Sequence, residues 1–184
     1  MKTEVNKKPT YEVIDDFLPS SVFDKLQNLL LPFEKKGGTE EVAWYYVPAG
    51  NVVKGVGNFD PTTSDWRLFY LIHMVYNHTI TSPLYEAIMP HLKPLDIKAL
   101  IRLKINMYPN TETFKEHGMH TDLPFSHKAA ILSINTCNGY TKLEDGTKID
   151  SVANRMLLFD PSKPHTPSTT TDQPVRVNIN INYF

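Results

Sequence analysis

A chain of 184 residues, 41% hydrophobic and 21% charged, is long enough to bury a sizeable core and has the mix of an ordinary globular protein. Nineteen basic residues against twenty acidic ones give a net charge of -1, so no basic stripe is left to grip phosphates and nucleic acid is disfavoured as a partner. The single cysteine, Cys137, excludes an internal disulfide and fits a reducing compartment.

The opening residues are polar and lack the apolar centre of a signal peptide, and no apolar run approaches bilayer length. The expectation is a cytoplasmic, soluble protein with no membrane partner, folded as one domain over 1–184. Tyr11 to Ile14 reads as a short strand. Ser20 or Ser21 then caps a helix with Asp24 in its first turn, and Val22, Leu26, Leu29 and Leu30 recur at helical spacing. Lys35-Lys36-Gly37-Gly38 ends that helix, and Glu41 to Val47 has strand composition. Residues 48–66 carry Pro48, Gly50, Gly55, Gly57 and Pro61, which marks a long loop, either a lid or a surface excursion. Trp66 to Tyr76 suits helix or strand. Ser82-Pro83 opens a helix through Ile88, closed by Pro90 and Pro94.

From residue 98 the texture changes to short strands. Lys98 to Met107 places Ile101, Leu103, Ile105 and Met107 at period two, and His127 to Asn135 is another strand. Asn138-Gly139 and Asp145-Gly146 are hairpin signals. Arg155 to Phe159 reads as a buried strand. In the last segment Arg176, Asn178, Asn180 and Asn182 share one face, and Val177, Ile179, Ile181 and Tyr183 the other. Six to eight strands within 98–184 point to a jelly-roll or barrel, with 1–97 supplying helices and strands that pack on it. The fold class expected is mainly β with supporting N-terminal helices (α+β).

The chemistry gathers at His120-Thr121-Asp122. On an extended segment His120 and Asp122 point the same way, so both reach one metal ion. His165 follows 43 positions after Asp122, and Arg176 lies 11 beyond His165. Two histidines and a carboxylate, with open positions, form the ligand set of non-haem Fe(II) oxygenases. Singly, each histidine is an ordinary surface or hydrogen-bonded residue; the ordered set makes them ligands. Arg176 stands among uncharged residues, which implies a buried partner.

On these residues the chain resembles the Fe(II)/2-oxoglutarate-dependent oxygenases of the prolyl-4-hydroxylase-like branch, and is similar to small members encoded by marine phages. The resemblance covers 98–184 by motif, and the opening from Asp15 to Leu30 is also typical of small members. It implies a double-stranded β-helix core, cupin-like, with iron held by His120, Asp122 and His165. It implies Arg176 as the ion-pair partner of the far carboxylate of 2-oxoglutarate, with Tyr108 beside the cosubstrate. Asn180 falls where relatives often place a hydroxyl on the same carboxylate. Ser133 departs from a tyrosine common in the animal prolyl hydroxylases, so a water or another side chain must complete that pocket. The implied reaction couples oxidative decarboxylation of 2-oxoglutarate by O2 to hydroxylation of an unactivated C–H bond, with ascorbate as a candidate reductant. Asp122 favours hydroxylation, because halogenating relatives lack the carboxylate.

A peptide or protein side chain, proline included, is the favoured substrate; a nucleobase or small metabolite is the alternative, and a non-catalytic jelly-roll binding module the third reading. The remaining candidates have plainer roles. His117 belongs to the substrate mouth or to nothing. His73, His78, His91 and His127 are structural or solvated, and Arg102 and Lys104 form a solvated strand face. Trp44, Tyr45 and Tyr46 are core, and Cys137 is a packed thiol.

Overall fold

The computed structural model describes residues 10–31, 42–48 and 68–184. The expected helix end at Lys35 to Gly38 and the loop of 48–66, apart from Pro48, lie outside the described residues. In chain order the elements are β1 (Tyr11–Ile14), α1 (Ser20–Leu30), β2 (Tyr45–Val47), β3 (Tyr70–Asn77), α2 (Leu84–Ile88) and β4 (Leu100–Pro109). Then come β5 (Lys128–Ser133), β6 (Tyr140–Leu143), β7 (Lys148–Asp150), β8 (Met156–Phe159), β9 (His165–Pro167) and β10 (Val175–Tyr183). Seven strands form one sheet in the order β1-β8-β5-β10-β4-β3-β2, and β7-β6-β9 form a smaller one. All the pairings are antiparallel. The protein is therefore mainly β, with its two described α-helices in the N-terminal half.

The alternation along β4 and β10 divides the molecule. Leu103, Ile105, Val177, Ile179 and Ile181 are fully buried in one cluster with Phe23, Leu26 and Leu30 of α1 and Leu84 and Ile88 of α2. The helices thus cover the aliphatic face of the large sheet, as the pattern of the last strand predicts. On the opposite face Ala129, Ile131, Leu157 and Phe159 pack against Leu143 of β6, which brings the small sheet across. The polar side chains of β4 and β10 lie on this inner face.

Several local expectations are revised. No serine caps α1: Pro19 occupies the cap position and no side chain bonds the end. Its exposed amides are relieved instead by the turn, with Val22 and Phe23 both donating to the Pro19 carbonyl. Trp66 to Tyr76 resolves to the strand β3 over its described part. Pro90 and Pro94 end α2 through two single-turn 3-10 segments, Met89–His91 and Lys93–Leu95. Tyr45 and Tyr46 are 63% and 61% exposed, because β2 is an edge strand with too few neighbours to cover them. Asp145-Gly146 does turn a hairpin between β6 and β7, with Gly146 at φ +87°. Asn138-Gly139 does not: it carries the chain from β5 in one sheet to β6 in the other.

One polar clamp fixes the N-terminal part to the sheets. Asn154, at φ +62°, accepts from the Leu18 amide at 2.9 Å and donates to the Leu18 carbonyl at 2.8 Å. Its own carbonyl takes the Phe17 amide at 3.0 Å. Asparagine is among the few residues that tolerate the left-handed region, so backbone and side chain together suit this position.

Candidate metal and active site

His120 and His165 face each other across an isolated antiparallel bridge: each donates its amide to the other's carbonyl at 2.9 Å. The strand β9, absent from the expectations, exists to hold this pairing. The two rings lie 4.5 Å apart between centroids. The Nδ1 of His120 meets the Gly118 carbonyl at 3.3 Å and that of His165 meets the Lys163 carbonyl at 3.1 Å. A carbonyl only accepts, so Nδ1 carries the proton in both rings and Nε2 keeps its lone pair. Asp122, two residues on, brings Oδ1 to 4.0 Å from the Nε2 of His120. One ligand atom from each of the three residues lies within 4.8 Å of the others, a spacing that fits a single ion.

The protonation states also fit. Burial, with the neighbouring His165, pushes His120 down to about 4, and burial lowers His165 as well. Burial alone raises the Asp122 carboxyl, but Lys104, Arg102 and His165 outweigh it and hold it well below the usual carboxylate range. Near neutrality the set is two neutral imidazoles and one carboxylate, the state a divalent cation requires. Asn182 donates to Asp122 Oδ2 at 2.8 Å, and Asn180 approaches the same oxygen at 3.4 Å.

A ladder of paired residues forms the floor of this site. In the register of β4 with β10, Tyr108 stands opposite Arg176, Asn106 opposite Asn178, Lys104 opposite Asn180, and Arg102 opposite Asn182. Asn106 donates to Asn178 at 2.9 Å. Arg102 and Lys104 are therefore not a solvated face. Arg102 reaches Asp122 at 3.1 Å and donates through Nε to Asn182 at 3.1 Å, and Lys104 lines the cavity beside the triad. Burial and the adjacent Arg102 bring Lys104 down to about 8. The sequence carried the signal: Arg102 and Lys104 share the parity of Tyr108, opposite to that of the core residues Leu103 and Ile105.

Arg176 sits at the other end, about 13 Å along the strand from Asn180. It is 1% exposed and has no carboxylate partner among the described residues. Its Nη2 donates to Thr141 at 2.9 Å and its Nη1 to the Ser168 carbonyl at 3.2 Å, while Nε is unbonded. The guanidinium lies 5.5 Å over the ring of Tyr108, which stacks on Tyr70 at 5.4 Å. Gly139 makes room: a Cβ there would stand 2.6 Å from the Cδ of Arg176. A buried guanidinium paired only with neutral oxygens has the charge and the donors to receive an anion.

The other candidates fall as follows. His117 is buried against Tyr108 and Tyr70, and burial with the nearby Arg176 lowers it to about 4. His127 packs beside Asn182, His73 bonds Ser82, and Cys137 is buried. Ser133 is buried opposite Asn178 and is not among the cavity-lining residues, where Ile131 and Thr141 stand instead. Of the buried polar atoms without partners, Asn106 Oδ1 and Asn180 Oδ1 belong to the cavity lining, and Arg176 Nε, His117 Nε2 and Arg102 Nη2 belong to residues that touch it. The void itself is narrow, about 30 Å³.

No protein-family model and no curated protein matches the chain by sequence. Solved structures match it by shape. An oxidoreductase of the 2OG-Fe(II) oxygenase family from Burkholderia pseudomallei superposes with a TM-score of 0.64 at 11% identity, over 95% of this chain and 84% of that one. A prolyl hydroxylase from Trichoplax adhaerens, in complex with a hypoxia inducible factor oxygen degradation domain peptide fragment, gives 0.61 at 17% identity, over 95% and 83%. The non-haem α-ketoglutarate-dependent epimerase SnoN of nogalamycin biosynthesis gives 0.57 at 13% identity, over 95% and 77%. At these identities the likeness establishes architecture: the chain has the fold of the 2-oxoglutarate- and Fe(II)-dependent oxygenases, prolyl hydroxylases among them.

Proposed function

We propose that this protein is an Fe(II)- and 2-oxoglutarate-dependent dioxygenase on a double-stranded β-helix core, hydroxylating an unactivated C–H bond of a peptide or protein side chain. The observation that carries the reading is the buried Arg176, without a carboxylate partner among the described residues, bonded to Thr141, which lines the same hollow as the His120-Asp122-His165 triad. A cation pocket at one end and a metal-ligand set at the other suit a cosubstrate that is chelated at one end and anionic at both. A fold shared with an epimerase does not choose the reaction, so hydroxylation rests on the intact carboxylate Asp122. The peptide preference rests on the resemblance and on the peptide seated in the Trichoplax protein.

In this reading His120, Asp122 and His165 would hold the iron, and Asn182, bonded to the carboxylate, would fix its orientation. Arg176 receives the far carboxylate of 2-oxoglutarate through paired hydrogen bonds. Thr141, already bonded to that guanidinium, supplies the hydroxyl that Ser133 does not bring into the cavity. Tyr108 supports the guanidinium from below with its ring. Asn180 serves the triad end, since its amide turns to Asp122 rather than to Arg176. When bound, the iron couples O2 activation to decarboxylation of the cosubstrate, with ascorbate as reductant; the residues around it supply orientation and exclude water.

The test is iron-dependent conversion of labelled 2-oxoglutarate to succinate, followed by mass spectrometry of candidate peptides for the gain of one oxygen atom. Arg176→Ala is expected to weaken 2-oxoglutarate binding tenfold or more, on the order of one paired charge-assisted contact, while iron stays bound. No iron-dependent succinate with any substrate would turn the reading to a binding module.

A further inference from the structure

We infer that the substrate presents an anionic group, a carboxylate or a phosphate, to Lys104 beside the open face of the triad. The inference deepens the oxygenase reading and rests on it. Lys104 lines this hollow, and two further cations touch its lining, Arg102 at Asp122 and Arg176 at Thr141, whereas Asp122 is the sole carboxylate among the lining residues. With metal and cosubstrate in place the charges do not close. The dication and the dianion cancel, and Asp122 offsets one further cation. Two cations remain unmatched.

Their positions say which molecule is missing. Arg176 lies at the cosubstrate's far end. Arg102 touches Asp122 at 3.1 Å, in a contact too poorly aligned to count as a hydrogen bond. Lys104 stands opposite Asn180, about 13 Å along the ladder from Arg176, and lines the cavity together with His120, Asp122 and His165. Its ammonium makes no hydrogen bond to a described residue, and Asn180, opposite it on the ladder, has an unbonded Oδ1. Asp122 is its nearest counter-charge and is shared with Arg102, so a buried ammonium left with part of one carboxylate costs free energy that an arriving anion recovers. A neutral aliphatic target such as an isolated prolyl ring leaves that charge unanswered; a target flanked by an acidic or phosphorylated group answers it.

The experiment uses the full chain loaded with Co(II) and N-oxalylglycine, a non-reactive isostere of 2-oxoglutarate. Matched probes are titrated by calorimetry and by the visible absorption of the cobalt: N-acetylglutamate against N-acetylglutamine, and N-acetyl-O-phosphoserine against N-acetylserine. The expected result is that one anion binds about tenfold or more tightly than its neutral partner, the worth of one charge-assisted hydrogen bond. Lys104→Met is expected to erase that preference and Lys104→Arg to keep it, both with unchanged cobalt stoichiometry and N-oxalylglycine affinity. The pair that discriminates separates carboxylate from phosphate. Equal affinities within both pairs, or no binding of any probe, would overturn the inference alone. So would a tenfold loss of N-oxalylglycine affinity in Lys104→Met, which would give the lysine to the cosubstrate. Failure of the parent protein to take up cobalt or N-oxalylglycine would overturn the oxygenase reading and this inference with it.

Discussion

Gly139→Ala tests the proposed anion pocket at Arg176 apart from the proposed metal site. The added methyl would stand 2.6 Å from the Cδ of Arg176 and 2.8 Å from the Thr169 carbonyl oxygen, both closer than carbon tolerates. The carbonyl belongs to the backbone, so the arginine must give way. Arg176 is fully enclosed, and moving it disturbs its bonds to Thr141 at 2.9 Å and to the Ser168 carbonyl at 3.2 Å. Overpacking of this kind costs about 1–3 kcal/mol, which for a chain of this size lowers the melting temperature by roughly 2–12 °C. A guanidinium shifted off its axis forfeits one paired contact to a carboxylate, about tenfold to a hundredfold in affinity. Calorimetric titration of 2-oxoglutarate into Mn(II)-loaded protein, beside a thermal melt, reads both. Gly146→Ala is the control: nothing lies within 4 Å of its Cβ position, but φ is +87°, so it strains the hairpin and leaves the cosubstrate untouched. A Gly139→Ala protein with the parent's affinity and melting temperature would refute the packing argument. Equal loss of affinity in both variants would show that the effect is not local to Arg176.

Three further outcomes are expected. His165→Ala should abolish stoichiometric iron binding, because two remaining ligands hold a divalent ion poorly; metal analysis after desalting checks it, and an unchanged ratio would remove His165 from the site. Asn154→Ala should destabilise the fold by about 2–4 kcal/mol, since it strands the buried amide and carbonyl of Leu18 and places a Cβ-bearing residue without a polar handle at positive φ. Chemical denaturation measures this, and a loss under 1 kcal/mol would show that the clamp is redundant. Acidification should weaken the metal-free protein between about pH 6.5 and 4. His117 and His120 titrate near 4 when folded and near 6.5 when unfolded, so the unfolded chain binds more protons across that window. Each contributes on the order of 3 kcal/mol that is present above the window and gone below it. A stability flat from pH 7 to 4 would contradict the burial of these rings.

Much of the site was legible because parity is. Arg176, Asn178, Asn180 and Asn182 alternate with Val177, Ile179 and Ile181, and a strand buried on both faces with so many amides on one of them has to be lining something. The HxD spacing declared itself the same way. The errors came where local signals meet tertiary context. Arg102 and Lys104 look like solvent-facing charges, yet their parity puts them beside Asp122. Asn138-Gly139 has hairpin chemistry, but the glycine is needed for the bulk of Arg176, 37 residues later, and the asparagine bonds Thr170 and Thr171. The strand β9 is three residues long and contains two of the chain's prolines at or beside its ends, so no propensity announces it; it is made by its pairing with β6 and with His120.

The two faces of β10 bind the candidate site and the fold into one inheritance. A one-residue shift in the register of Val175–Tyr183 would slide every amide and the guanidinium into the oil beneath the helices and turn the isoleucines toward the hollow. Such a lesion could not be partial, and neither half could drift without the other. Point substitutions at even positions remain free to alter what the hollow accepts while odd positions keep the sheet assembled. Diversification of this protein should therefore proceed by exchange of side chains along that strand, and changes in chain length should gather elsewhere.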